Sequence, residues 1–212
     1  MSMKRIFLAS SISKTAKPIA SEIKKEYGKD KNRLLFITTA SEPKEGELKW
    51  QIADRKELGD AGFVISDFTI TGKTENAIRL AVENTDIIHF NGGNVFYLLS
   101  QLQMTKSIEV FKTAVEEGKI YIGSSAGSII ASPDIWSARN LDNLEVSDQL
   151  KDYRGLSLVD FLIFPHWGSE HFKERYLDQK LEMAYPGDNK IILLRDNQYV
   201  SVKDDDYRIT GI

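Results

Sequence analysis

The 212-residue chain, at 24.0 kDa, is long enough for one well-buried domain and short for two, so a single domain over residues 1–212 is expected. Its composition, 42% hydrophobic and 28% charged, excludes intrinsic disorder, and a net charge of −3 with both signs interspersed offers no basic stripe to nucleic acid or to an anionic membrane. There is no cysteine, which excludes disulfides, thiolate metal sites and a cysteine nucleophile.

Lys4 and Arg5 precede an apolar run, Ile6 to Ala9, that is too short for the core of a signal peptide. No later stretch has the length of a membrane span, and the expected location is the cytoplasm. Apolar, β-branched runs at Arg5 to Ala9, Leu34 to Thr38, Phe63 to Phe68, Asp86 to Phe90 and Ile120 to Ile122 read as strands. Amphipathic segments lie between them at Lys14 to Tyr27, Glu47 to Ala61, Thr74 to Glu83 and Lys106 to Glu117, with Gly28, Gly62 and Gly118 at helix ends. A further helix carries Phe96, Leu98 and Leu99. Strands that are apolar on both faces suit a sheet covered on both sides, so the fold class is α/β, a doubly wound and mostly parallel sheet.

Beyond Ala131 the rhythm changes to an irregular stretch, Ser132 to Leu156, of a length usually reserved for functional or mobile segments. An apolar run at Leu158 to Phe164 and a helix from Ser169 to Ala184, stopped by Pro186-Gly187, follow. Segments Lys190 to Leu194, Gln198 to Lys203 and Tyr207 to Thr210 read as a small antiparallel addition at one sheet edge, turning at Asp204 to Asp206.

Gly123-Ser124-Ser125-Ala126-Gly127 is a G-x-S-x-G run between a strand and an apolar helix start. Such a nucleophile elbow exposes the central serine on a tight turn, which makes Ser125 the candidate nucleophile; a plain Gly/Ser-rich turn is the alternative. A serine needs a base, and the chain has three histidines. His166, in Phe164-Pro-His-Trp-Gly, follows a strand, where open α/β sheets bind ligands. His89 reads as a hydrogen-bonded sheet residue, and His171 falls in the first turn of the next helix. The acid that orients the base is sought among Asp134, Asp142, Asp148, Asp160 and Asp196, of which Asp196 again follows a strand. Asn91-Gly92-Gly93-Asn94 frees backbone amides that, with the N–H of Ala126, could form an oxyanion site; a phosphate nest is the rival, weakened by the absence of a Walker lysine and of G-x-G-x-x-G.

Together, Asn91-Gly-Gly-Asn-Val-Phe-Tyr-Leu-Leu, Gly123-Ser-Ser-Ala-Gly-Ser and Phe164-Pro-His-Trp, in this order, resemble the peptidase E family of serine peptidases, which also contains cyanophycinases. The resemblance spans most of the chain. It implies a fold similar to the class I glutamine amidotransferase domain, with serine in place of cysteine, acting on peptides with an acidic N-terminal residue. By position, Ser125 matches the nucleophile, His166 the base, and the amides of Gly92, Gly93 and Ala126 the oxyanion site. Asp196 stands where the family usually carries Glu, and Asn140 and Asp142 lie nearest to a second family acid. The family's substrate-binding arginines fall on Phe172-Lys-Glu-Arg175, where Arg175 alone keeps a guanidinium and Phe172 replaces an arginine.

Asn94, His171 and Arg175 are thus the candidate substrate-binding residues. The expected activity is that of a serine dipeptidase or exopeptidase on small peptides, with no cofactor, no metal site, no nucleic acid and no membrane, and with a homodimer allowed. An α/β-hydrolase esterase is the enzyme alternative, although its acid should precede its histidine. A non-catalytic small-ligand binder on the same fold is the other.

Overall fold

The computed structural model describes residues 3–138, 150–177, 181 and 188–212. Strands β1 (Arg5–Ala9), β2 (Arg33–Ile37), β3 (Val64–Phe68), β4 (Ile87–Phe90) and β5 (Ile120–Ser124) pair in parallel in the order β3-β2-β4-β5-β1. Beyond β1 the sheet continues with β8 (Gln198–Lys203) and β9 (Asp206–Gly211), both added antiparallel. The α/β class and the antiparallel edge are as the sequence indicates.

Side-chain alternation explains the two-sided burial. Ile6 and Leu8 of β1 point into one core, shared with the apolar faces of α3 (Glu75–Glu83), α4 (Val95–Met104) and α5 (Ile108–Glu116). Phe7 and Ala9 point into the other, beneath α1 (Ile12–Tyr27) and α2 (Lys49–Asp60). Helix α1 buries Ile12, Thr15, Ala16, Ile19 and Ile23, the spacing of a single helical stripe. Strand β3 departs from the two-sided expectation: at the sheet edge, its Val64 is 58% exposed. Among the described residues, no helix is long and apolar enough to cross a membrane.

One part of the chain runs differently from the sequence reading. Lys190–Leu193 is β7, and it pairs in parallel with β6 (Phe161–Phe164) in a separate two-stranded sheet rather than joining the antiparallel edge. Its four residues form as good a parallel partner for β6 as they would an edge strand, and the apolar run alone does not choose between them. The helix expected from Ser169 starts with a 3-10 turn at Glu170–Phe172 and α7 at Lys173–Arg175. Its later part lies largely outside the described residues, as do Pro186-Gly187 and much of the irregular stretch after Ala131.

His89 of β4 is fully buried and stacks on Phe36, with ring centroids 5.1 Å apart. Asn91 and the Ile122 backbone lie within reach of its ring nitrogens, though neither contact has the full geometry of a hydrogen bond. Burial pushes its pKa down to about 4. The unfolded chain, titrating near 6.5, therefore takes up the proton first, and the stability this residue allows above pH 6.5 is lost as pH falls towards 4, by about 3 kcal/mol. Denaturation of wild type and His89→Leu between pH 7 and pH 4 should show a steeper loss in wild type; parallel curves would refute the assignment.

Candidate active site

The sheet register brings the carboxyl ends of three neighbouring strands level. Phe90 of β4 pairs with Gly123 of β5, and Ser124 of β5 pairs with Ala9 of β1. The chain leaves these strands as Asn91-Gly92-Gly93, Ser125 and Ser10, all on one rim of the sheet. This is the crevice beyond the strand ends where open α/β sheets bind ligands.

Ser125 sits between β5 and the short helix α6 (Ala126–Ile129) at φ 50° and ψ −109°. A non-glycine residue held there stores roughly 1–3 kcal/mol of strain and persists only if its surroundings fix it. Several bonds do so. The Ser125 N–H donates to the Ala9 carbonyl at 3.1 Å, its carbonyl accepts from the N–H groups of Ser128 and Ile129, and the Ser128 hydroxyl donates to the Ala9 carbonyl at 2.7 Å. Gly127 is required by contact rather than by freedom: a Cβ there would lie 1.9 Å from the Phe90 carbonyl oxygen.

His166 and Asp196 come from the second sheet. Because β6 and β7 run in parallel, with Phe164 opposite Leu193, the segments leaving them emerge together. The Trp167 N–H donates to the Leu194 carbonyl at 2.9 Å and ties the two exits. The resulting chain of contacts is continuous: Ser125 Oγ lies 2.9 Å from His166 Nε2, and His166 Nδ1 lies 2.7 Å from Asp196 Oδ1. The hydrogen bond from His166 holds the Asp196 carboxyl below the usual carboxylate range, aided by the imidazole charge, Ser10 and the Lys14 charge and opposed by partial burial. A carboxylate kept ionised there fixes the imidazole with its Nε2 lone pair towards the serine.

Two side chains that hold the base were not given that role from sequence. Ser10, fully buried, accepts the His166 backbone N–H at 2.7 Å and donates its hydroxyl to Asp196 Oδ1 at 2.9 Å. It fixes His166 at φ 63°, an uncommon conformation for a non-glycine residue. Its position directly after β1 was the available signal. Phe172 stacks nearly parallel on the imidazole, with centroids 4.7 Å apart and planes at 11°. Where a substrate-binding arginine was expected, the chain thus places a ring against the base. Ser10→Ala should leave the His166 N–H unpaired at roughly 1–3 kcal/mol, read as about a tenfold fall in kcat/KM; unchanged kinetics would deny Ser10 this positioning role.

Gly93, at φ 141°, permits a close crossing, since a Cβ would meet the Ala40 carbonyl oxygen at 2.0 Å. A Cβ on Gly92 would lie 3.4 Å from Ser125 Cβ, which places this turn beside the serine. Among the described residues, none accepts a backbone hydrogen bond from the N–H of Gly92, Gly93 or Ala126.

A cavity of about 420 Å³ opens over the serine, with Gly92, Gly93, Ser125, His166, His171 and Arg175 on its wall. Asn94 is not brought there: its Oδ1 accepts from the N–H groups of Phe96 and Tyr97 and caps α4. Asp134 accepts from the Trp136 N–H and Asp160 pairs with Lys190 at 2.6 Å, both away from the cavity. Asn140, Asp142 and Asp148 lie outside the described residues. No cluster of three or more His, Asp or Glu able to hold a metal occurs among the described residues.

An α/β sheet that presents a serine on a tight strand-to-helix turn, bonded to an imidazole and through it to a carboxylate, is the framework of a serine hydrolase. The model of peptidase family S51 matches residues 6–210, and the chain belongs to that family. It is therefore a serine-type peptidase of the peptidase E kind. The chain is 31% identical, over 95% of both sequences, to the uncharacterized peptidase Lmo0363 of Listeria monocytogenes, and 27% identical to a peptidase E of Nostoc sp., covering 90% of this chain and 77% of that one. The crystal structure of a candidate peptidase E from Listeria monocytogenes EGD-e superposes with a TM-score of 0.89 at 27% identity, covering both chains fully. A peptidase from an acI-B1 actinobacterium shares the fold, with a TM-score of 0.69 at 15% identity over 99% of this chain and 88% of that one.

Proposed function

We propose that this protein is a dipeptidase that cleaves short peptides through an acyl-enzyme on Ser125. His166 takes the serine proton as the hydroxyl attacks the scissile carbonyl, and the same nitrogen returns it to the leaving amine. Asp196 holds the imidazole and stabilises its charged form. The amides of Gly92 or Gly93 and of Ala126 receive the tetrahedral oxyanion, with roughly 3–4 kcal/mol for each donor. Water then hydrolyses the acyl-enzyme by the same base, and no cofactor takes part.

The observation that carries this reading is the 2.9 Å contact from Ser125 Oγ to His166 Nε2, continued at 2.7 Å to Asp196. An acidic or carboxylate-bearing substrate is favoured by the basic side chains on the cavity wall, Lys44, His171 and Arg175.

The test is hydrolysis of Asp-Leu, Glu-Leu, Asn-Leu and Ala-Leu by wild type and Ser125→Ala, with fluorophosphonate labelling beside it. Wild type should cleave at least one and be labelled, with the acidic residues preferred, and the variant should do neither. A wild type that is labelled but cleaves no dipeptide would remove the dipeptidase reading and leave the activated serine.

A further inference from the structure

The wall of the same cavity carries one acid that the mechanism does not use. Asp54 of α2 is only 5% exposed and lies on the cavity wall with Ser11, Ser13 and Ser125. Trp50, a turn earlier on α2, lies against the glycine turn: a Cβ on Gly92 would stand 3.3 Å from its ring and 3.4 Å from Ser125 Cβ. The Trp50–Asp54 face of α2 therefore flanks the nucleophile.

Asp54 Oδ1 accepts the Ser13 N–H at 3.1 Å, satisfying one of the donors left open at the start of α1. Among the described residues, no lysine or arginine forms an ion pair with it. Burial raises its pKa to about 7, against the opposing hydrogen bonds from Ser13. A buried carboxylate without a counter-charge is costly to keep, and capping α1 does not require it, since an asparagine oxygen would accept the same N–H. What the site lacks is a cation that arrives from the cavity. An alkylammonium fits: its three N–H donors match one carboxylate and the hydroxyl oxygens of Ser11 and Ser13, which lie 3.1 Å apart.

We propose that Asp54 is the residue that selects for a free N-terminus, its carboxylate receiving the α-ammonium group of the substrate's first residue. This rests on the reading of Ser125 as a peptidase nucleophile. The substrate's ammonium then goes to Asp54, and the same cavity wall carries the cations Lys44 and Arg175 for its carboxylate. Longer peptides are cut after the first residue because the ammonium, held at Asp54, sets that carbonyl beside Ser125.

The experiment compares wild type and Asp54→Asn on the fastest-cleaved dipeptide of the panel and on its N-acetyl form, with the fluorophosphonate labelling rate as a measure of Ser125 that needs no amine. The expected result is a KM raised at least tenfold in Asp54→Asn for the free peptide, kcat little changed, labelling unchanged, and the preference over the N-acetyl peptide lost. Unchanged KM and preference, with labelling intact, would overturn the role of Asp54 and leave the peptidase reading standing. Loss of labelling and hydrolysis in wild type itself would overturn both. Should Asp54→Asn not fold, wild type decides alone: the des-amino analogue of the dipeptide, with hydrogen in place of the ammonium, should inhibit at least tenfold more weakly than the dipeptide competes, and equal affinity would overturn the proposal.

Discussion

Ser125→Ala is expected to lower kcat on the best dipeptide by roughly ten-thousand- to million-fold while KM stays within about threefold, because the hydroxyl forms its bond only as the carbonyl becomes tetrahedral. The fold should survive, since the backbone bonds that hold the elbow run through the main chain of Ser125 and the side chain of Ser128. His166→Ala should cost a similar amount. The two together should cost no more than either alone, because serine and imidazole act as one unit at 2.9 Å. Additive losses in the double variant would mean that the two side chains act in separate steps. Residual hydrolysis above the rate in water is expected in all three variants, because the amides of Gly92, Gly93 and Ala126 remain in place.

The second large effect is on stability. Asp54 has an ordinary pKa near 3.9 in the unfolded chain and is pushed up to about 7 in the fold, with burial as the principal cause. A raised carboxyl pKa means that the folded state holds its proton while the unfolded state has already released it. The penalty is therefore absent below about pH 4 and grows until pH passes about 7. Asp54→Asn removes the charge and keeps an oxygen for the Ser13 N–H. It should match wild type at pH 4 and exceed it at pH 8 by on the order of 3 kcal/mol, a rise in Tm of roughly 5–10 °C. A variant of equal stability at pH 8 would show that Asp54 is not strained by burial. This dependence opposes that of His89 over nearly the same range, about pH 4 to 7, so in wild type the two buried groups largely offset one another and each is seen clearly only in a variant that lacks the other.

Much of this architecture could be read from the chain because short apolar runs and helical stripes survive in the sequence as periodicity. The elbow was legible as Gly123 to Gly127, and His166 and Asp196 as polar residues just past apolar runs. What could not be read is what packing alone decides. Strand β7 is a run of four residues with no pattern that distinguishes a partner in β6 from one at the sheet edge. Asp54 sits among Arg55, Lys56 and Glu57 on α2 and resembles any solvated helix position until α2 is laid on α1. Ser10 belongs to no motif, and its two bonds join it to residues from the far end of the chain. Asn94 misled because a side chain next to a glycine turn suggests a ligand contact, whereas the first turn of α4 needed a cap more directly.

The proposed nucleophile and its base stand on different sheets: Ser125 follows β5 of the larger sheet, whereas His166 and Asp196 follow the strands of the β6–β7 ladder. A substitution that shifts the ladder against the larger sheet should therefore part the serine from its proposed base while the bonds of the elbow itself persist.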